Sequence, residues 1–413
     1  MKRYAFSTRK KDQMSKASTP DEINLYDTGK AFTEKSNEDL KRSNFLFALM
    51  RYPVVVRLFS FLTRWTLYLH FPVKWLIRRT IFRQFCGGES IEQCSPVLLK
   101  LERSGIGSIL DYSVEGKDTE QDFDNVKNEV IRIIELASRN KYIPYTSVKL
   151  TGIIKGSILE AFGRETGRHF KKDMLLEHSV NRLRTICDAA LHFNVPVYFD
   201  AEESWVQDGI DKVAEEMMRM YNKEKPIVLT TLQMYRWDRL AYLDRLLKEA
   251  RSVKFSLGIK LVRGAYWEKE NTRASSLHYR SPVHQLKSDT DRDFDRALDI
   301  CLENIDIVLL CAGTHNEAST VYLLKKMRDL GIPNDHPHVY FSQLYGMSDH
   351  ISYNLAREGY RVTKYLPYGP VRSVIPYLLR RAEENTAIAG QIGRELKLIR
   401  EELARRKEQK LLK

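Results

Sequence analysis

The chain has 413 residues, 43% of them hydrophobic and 29% charged, with no low-complexity tract, so it is long enough for a full core and does not read as a disordered or fibrous sequence. A formal net charge of +13 admits nucleic acid, an anionic membrane surface, or an anionic cofactor and substrate as partner. With no zinc-finger spacing, no RRM-like aromatic signature and no basic recognition helix, nucleic acid is set aside.

The opening MKRYAFSTRKKDQ is basic, but no apolar run with a small-residue cleavage site follows it, so it is not read as a secretory signal. Residues 1–44 are polar and are expected to be loosely ordered with short helices. Residues 45–85 differ sharply, being rich in aliphatic and aromatic side chains, with seven arginines or lysines and no acid. Their longest uncharged run is far short of the roughly 20 residues that span a bilayer. A helix over 53–70 would put Arg57, Ser60 and Arg64 on one stripe. Two readings stay open for this segment. It is a helical arm packed on the main domain, or an interfacial contact in which apolar side chains insert and arginines meet anionic headgroups.

From residue 105 short apolar runs alternate with amphipathic helices. Strands are expected at 108–115, 146–151, 196–202, 226–234, 257–264, 305–315, 338–344 and 360–366, with helices such as 179–193 and 237–252 between them. Eight strands with helical crossovers match a closed barrel, although the spacing also suits a doubly wound sheet. The polar residues decide between them. Lys149, Asp200, Gln233, Lys260 with Arg263, Thr314 with His315, Gln343 and Tyr365 all fall at strand C-terminal ends. A barrel gathers those ends on one face, whereas an open sheet exposes only the few near its switch point. The expected architecture is α/β, a (βα)8 TIM barrel over 105–390, with an N-terminal helical arm (1–104) and a charged helical tail (391–413). No G-x-G-x-x-G follows a strand into a helix, and no P-loop is present. The five cysteines (Cys86, Cys94, Cys187, Cys301 and Cys311) form no CxxC pair, which suits a reducing compartment and buried thiols.

Several constellations could carry chemistry. Tyr377, Arg380, Arg381 and Glu384 fall at i, i+3, i+4 and i+7 on one helix face. Two adjacent guanidiniums can grip one carboxylate while Glu384 steadies a guanidinium. Alone, the pattern also describes a solvated charged helix. A turn at Tyr365-Leu-Pro-Tyr-Gly is expected to carry this helix across the barrel mouth. KLVRGAYWEKE (260–270) ends a strand in two cations, followed by a glycine and two aromatics. Asp200, with Glu202 and Glu203 behind it, could pair with Arg380, Arg381 or Lys149. AGTHNEAS (312–319) reads as strand, polar turn and helix start, suited to helix capping or to a phosphate at a helix N-terminus. No histidine stands at ligand spacing near Asp200, so no catalytic metal is expected.

Taken together and in order, KLVRGAYWEKE, GTHNEAS and YLPYGPVRSVIPYLLRRAEEN (365–385), with VKLTG and FDAEESW upstream, resemble the proline dehydrogenase family, in its single-function bacterial form. The resemblance covers about residues 105–390. It implies a distorted (βα)8 barrel that binds FAD, oxidises L-proline to Δ1-pyrroline-5-carboxylate and passes electrons to a quinone, the first step of proline catabolism to glutamate. It implies that Lys149, Arg380 and Arg381 clamp the substrate carboxylate, that Asp200 orders the clamp, and that Tyr365 and Tyr377 wall the ring. Ala201, Gln233, Val262, Arg263, Gly264, Ala265, Tyr266, Trp267, Thr314, His315 and Asn316 become cofactor contacts. Lys260 stands beside the flavin N5, where many bacterial relatives carry arginine. A cytoplasmic enzyme is expected, peripheral on the inner face of the membrane through residues 45–85. A non-catalytic sensor barrel and a basic membrane scaffold are the competing readings.

Overall fold

The structure is a computed structural model that describes residues 23–52, 54, 74–113, 118–165, 174–387 and 391–411. The helix expected over 53–70, with its Arg57, Ser60 and Arg64 stripe, lies outside the described residues. Eight parallel strands close into a barrel in chain order: β1 (Gly107–Tyr112), β2 (Tyr145–Lys149), β3 (Val197–Asp200), β4 (Val228–Gln233), β5 (Leu257–Val262), β6 (Val308–Gly313), β7 (Val339–Leu344) and β8 (Val362–Tyr368). Closure runs from Gly107 beside Thr363 to Tyr112 beside Tyr368. All eight expected strands are present, and the barrel, not the open sheet, is the fold.

Several strands are shorter than expected, β2 for instance ending at Lys149 where 146–151 was expected and β3 at Asp200 where 196–202 was, and two boundaries change the path of the chain. Residues 305–307 form a turn that ends the preceding helix, with the Ile305 and Ile307 N–H groups donating to Leu302 O and Asn304 O, so β6 starts only at Val308. The turn expected at Tyr365 is absent, because β8 continues through Pro367 to Tyr368 alongside β1. Tyr368 is buried there and donates its hydroxyl to Glu129 at 2.8 Å, and the chain turns only at Gly369, where φ is +140°.

Side chains alternate between two faces along each strand. The inward set includes Ile109, Tyr145, Tyr198, Leu229, Leu309, Cys311, Tyr340 and Tyr365. Tyr145 meets Tyr340 and Tyr198 edge-to-face at centroid distances of 4.7 and 5.4 Å, a favoured aromatic geometry. Leu229 fits because its neighbour on β5 is Gly258, where an added Cβ would lie 2.3 Å from Leu229 Cγ. The outward set, with Leu110, Val148, Leu232, Ile259, Leu310 and Leu366, packs against the surrounding helices. The helix Glu120–Ser138 is typical: Thr119 caps it and Phe123, Val126, Val130, Ile133, Ile134 and Ala137 line its buried face.

A second core lies outside the barrel. The helix Asn37–Met50, started by a Ser36/Asp39 capping box, buries Leu40, Phe47 and Met50 against Val374, Leu378, Leu396 and Ile399 from the last two helices. Burial of such a side chain contributes about 1.5–3 kcal/mol. The C-terminal helix Gln391–Leu411 is docked on this layer: Arg406 donates to Phe32 O and Lys35 O, both at 2.8 Å, and to the buried Glu402 carboxylate. All five cysteines are buried and unpaired. Among the described residues no helix is long and apolar enough to cross a membrane.

Candidate active site

Parallel register builds the floor of the barrel mouth. Lys149 on β2 lies beside Asp200 on β3, and Thr231 on β4 lies beside Lys260 on β5, which places the four in one row. Asp200 is the centre of this row. One carboxylate oxygen accepts from the Lys260 ammonium and the other from the Tyr365 hydroxyl at 2.6 Å. Lys260 is also held between two rings, 4.8 Å from the centroid of Tyr198 and 5.2 Å from that of Tyr365. Burial pushes the Asp200 carboxyl up. The Lys260 and Lys149 ammoniums and the two hydrogen bonds outweigh burial and hold the group below its usual value. Asp200 thus pairs with Lys260 and Tyr365, a pairing that was not among the expected partners Arg380, Arg381 and Lys149. Lys149 reaches Asp111 on β1 at 3.3 Å.

Next to this row is a cleft of about 420 Å³ whose wall brings Lys149, Thr151, Glu202 and Tyr266 together with Arg380 of the helix Val371–Ala387. Successive residues of a helix point about 100° apart. Arg381 accordingly lies over the Tyr377 ring at 5.5 Å and is near enough to His315 to disfavour its protonation. Tyr377 is buried in the layer between barrel and arm. Glu384 belongs to the same helix, but its side chain lies outside the described part of the chain.

Glu202 shares the cleft and is buried. Its carboxyl accepts from the Thr151 N–H at 3.0 Å and from the Thr151 hydroxyl. Burial raises its pKa from 4.5 to about 7 despite those bonds and Lys149. Between these two values the folded chain keeps a proton that the unfolded chain has released. The stability from this group is therefore full below the unfolded value and is lost as pH rises through about 7. The span is worth about 3 kcal/mol. Glu202→Gln cannot ionise but can keep both bonds to Thr151. Its urea midpoint should fall less than that of the wild type between about pH 5 and about pH 7.5. Equal slopes in both proteins would assign the titration to another group.

The residues that the resemblance gives to the cofactor form two groups. In the first, Gln233 at the end of β4 donates to Glu202 O at 2.7 Å and accepts from the Ala265 N–H at 3.2 Å. Val262 O accepts from the Met234 N–H at 2.8 Å, and Ala201 follows directly on β3. Gly264 has φ of +133°, and a Cβ there would meet the Tyr235 ring at 2.5 Å, so this turn requires glycine. In the second group, Arg263 reaches Asp291 at 2.7 Å, Thr314 at 2.6 Å and Ser319 at 2.9 Å. Asn316 caps the helix Glu317–Asp329. His315 Nε2 accepts from the Leu344 N–H at 3.5 Å, which leaves Nδ1–H to donate to Ser348 Oγ at 2.9 Å. Burial, followed by the cations Lys364 and Arg381, lowers the His315 pKa to about 3, so the ring is neutral. Trp267 belongs to neither group. It opens the helix Trp267–Ser276, is 46% exposed, and donates to His284 O at 3.0 Å.

Comparison with known proteins fits this geometry. The family model for proline dehydrogenase matches residues 95–394. The chain belongs to the proline dehydrogenase family. It is 34% identical over 325 residues to the carbapenem antibiotics biosynthesis protein CarD of Pectobacterium carotovorum subsp. carotovorum, covering 78% of this chain and 83% of that one. It is 31% identical over 379 residues to the mitochondrial proline dehydrogenase 1 of Dictyostelium discoideum, covering 81% of this chain and 66% of that one. Among solved structures, proline utilization A from Bdellovibrio bacteriovorus, inactivated by N-propargylglycine, superposes with a TM-score of 0.70 at 21% identity, covering 90% of this chain and 40% of that one. At that identity the likeness is one of fold.

Within this family member, Asp111 is the site residue that sequence reasoning passed over. It is buried, accepts from Ser113 and Ser147, and receives Lys149. The signal was an acid near the C-terminal end of the first strand, SILDY. Glu270 was passed over too. It is fully buried and accepts from the Ser204 N–H at 2.6 Å, tying the β5 exit to the β3 exit.

Proposed function

We propose that this protein is a single-function, bacterial-type proline dehydrogenase that uses FAD to oxidise L-proline to Δ1-pyrroline-5-carboxylate and passes the electrons to a quinone, the first step of proline catabolism to glutamate. The observation that carries the reading is the row Lys149–Asp200–Lys260 under Tyr365, flanked by the cleft that Arg380 enters. A small cyclic amino acid needs a cationic grip on its carboxylate, a wall for its ring and a nearby redox cofactor. It needs neither a nucleophile nor a metal.

The donor set suits FAD. The Arg263 guanidinium, the Thr314 hydroxyl and the N-terminus of Glu317–Asp329 form a polar, electropositive edge for a diphosphate, although Asp291 offsets part of the charge. Gln233, Lys260 and the Val262–Ala265 turn offer donors for a flavin edge. When bound, FAD supplies the acceptor for the hydride leaving C5 of proline. The protein's own groups do the positioning. Lys149, Arg380 and Arg381 bind the carboxylate, and Glu384 steadies a guanidinium. Asp200 keeps the Lys260 ammonium and the Tyr365 hydroxyl fixed. Tyr365 and Tyr377 bound the ring. In this reading residues 105–390 are the catalytic barrel, 1–104 the arm and 391–413 the tail. The enzyme is cytoplasmic and touches the inner face of the membrane through residues 45–85. The exposed Phe45, Leu49, Tyr52, Val54 and Trp75 support that contact.

The purified protein should be yellow, and anaerobic L-proline should bleach its flavin absorbance faster than trans-4-hydroxyproline does. Tyr365, locked onto Asp200, leaves little room for a ring hydroxyl. Bound flavin that proline leaves unbleached would favour a sensor. A chain that takes up no FAD would sink both readings.

A further inference from the structure

A second cavity, of about 650 Å³, lies between the arm and the barrel rim, and nothing in the proposed chemistry uses it. Its cations come from four stretches of the chain. Lys35 and Arg42 belong to the start of the arm; Arg78, Arg79 and Arg83 to the π-helical turn Arg78–Phe82 and the residue after it; Lys100 to the helix Ile91–Arg103; Lys364 to β8. Only two acids line it, and each is shared. Asp39 meets Arg42 at 2.9 Å and Arg83 at 3.7 Å, and Asp349 meets Lys35 at 2.7 Å and Lys364 at 2.8 Å. Arg79 and Lys100 have no ion pair among the described residues, and Arg42 Nε is buried without a hydrogen-bond partner among them. The remaining wall mixes the polar Ser43, Gln84 and Gln93 with an apolar and aromatic part that includes Trp75, Phe82, Val97 and Tyr353.

Seven cations against two lining carboxylates and Glu89, which meets Arg78 from outside the wall at 3.4 Å, beside a partly aromatic wall, suit an anionic group with an apolar body attached. The setting favours one source. Helical spacing places the exposed Phe45 and Leu49 on the same side of the helix Asn37–Met50 as the cavity residue Arg42, and Trp75 at the cavity wall is 61% exposed. Tyr345 and Gly346, also in the wall, directly follow β7 at its C-terminal end, which puts the cavity on the rim that carries the active site. We propose that this cavity binds the phosphate of an anionic phospholipid headgroup. The docked lipid turns the barrel mouth toward the bilayer, where a hydrophobic electron acceptor resides. The proposal rests on the reading that the arm meets a membrane.

The test uses the full FAD-loaded chain, with vesicles of phosphatidylcholine alone or mixed with phosphatidylglycerol, and sn-glycerol 3-phosphate as a soluble probe. The wild type should sediment with the mixed vesicles far more than with phosphatidylcholine, and millimolar glycerol phosphate should displace it. Arg79→Ala/Lys100→Ala should bind the mixed vesicles about 25-fold more weakly, about 5-fold for each cation lost, with dye-linked proline oxidation unchanged. Lys100→Gln alone, a milder change, should lose about 5-fold. Phe45→Ser/Leu49→Ser should lose vesicle binding of either composition yet keep a glycerol phosphate-dependent rise in Tm. Pocket variants that bind mixed vesicles like the wild type would overturn the proposal while leaving arm insertion intact. A wild type that ignores vesicles but gains Tm with glycerol phosphate would mark a site for a free phosphate ester, and the lipid assignment and the arm reading would fall together.

Discussion

Asp200→Asn should destabilise the protein by about 3–5 kcal/mol and lower kcat/KM for proline by at least about 100-fold. The reason is the counterion. Lys260 is 5% exposed, and Asp200 is the carboxylate it touches. With the charge gone, the ammonium keeps its desolvation cost, and the rings of Tyr198 and Tyr365 recover only a small part of it. The carboxamide must also choose between the lysine and the Tyr365 hydroxyl, so the ring wall loosens. Urea denaturation and dye-linked kinetics read the two effects separately. Adding Lys260→Met should recover most of the stability and none of the activity, because an apolar side chain needs no counterion. Equal activity in Asp200→Asn and the wild type would remove Asp200 from the machinery.

Removing either arginine of the proposed clamp should be nearly as costly for the substrate, with no loss of FAD. Arg380→Ala and Arg381→Ala should each weaken kcat/KM for proline by about 30- to 1000-fold, corresponding to about 2–4 kcal/mol for a lost charge-assisted contact. Both should act mainly on KM. Arg380 shares a cleft with Lys149, and Arg381 lies over the Tyr377 ring, so in the proposed reading the two would grip a carboxylate from different sides. Lysine at either position should restore little, since an ammonium cannot reproduce the planar fork. An unchanged KM in Arg381→Ala, with flavin still bound, would reject its assignment.

The fold was legible because a barrel strand announces itself locally, as an apolar run of the right length with a polar residue at its C-terminal end. The site was legible as a set of residues and much less so as a set of partners. Nothing near Asp200 in the chain points to Lys260, 60 residues away; the choice of Lys260 follows from the register of β3, β4 and β5. Asp111 escaped notice for the same reason, since its partner Lys149 is supplied by the neighbouring strand. Lys364 is the chain neighbour of Tyr365 on β8. It points away from Tyr365 into the second core, where it meets Asp349 and Met347 O. The end of β8 was misjudged because proline and glycine usually mark a turn. Here Pro367 is accommodated beside β1 while its carbonyl accepts from the Gly87 N–H at 2.9 Å.

The contact of Gly258 with Leu229 bears on how this sequence can change over time. The two positions share one volume inside the barrel, with three Leu229 atoms within 2.8 Å of where a Cβ on residue 258 would lie. A larger residue at 258 is admissible only after 229 has shrunk, and a shrunken 229 beside glycine leaves a cavity. Neither single step is neutral. Among descendants of this barrel the pair is therefore expected to be inherited and replaced as a unit, a correlated two-site character in a comparison of lineages, although the residues are 29 positions apart and belong to different strands.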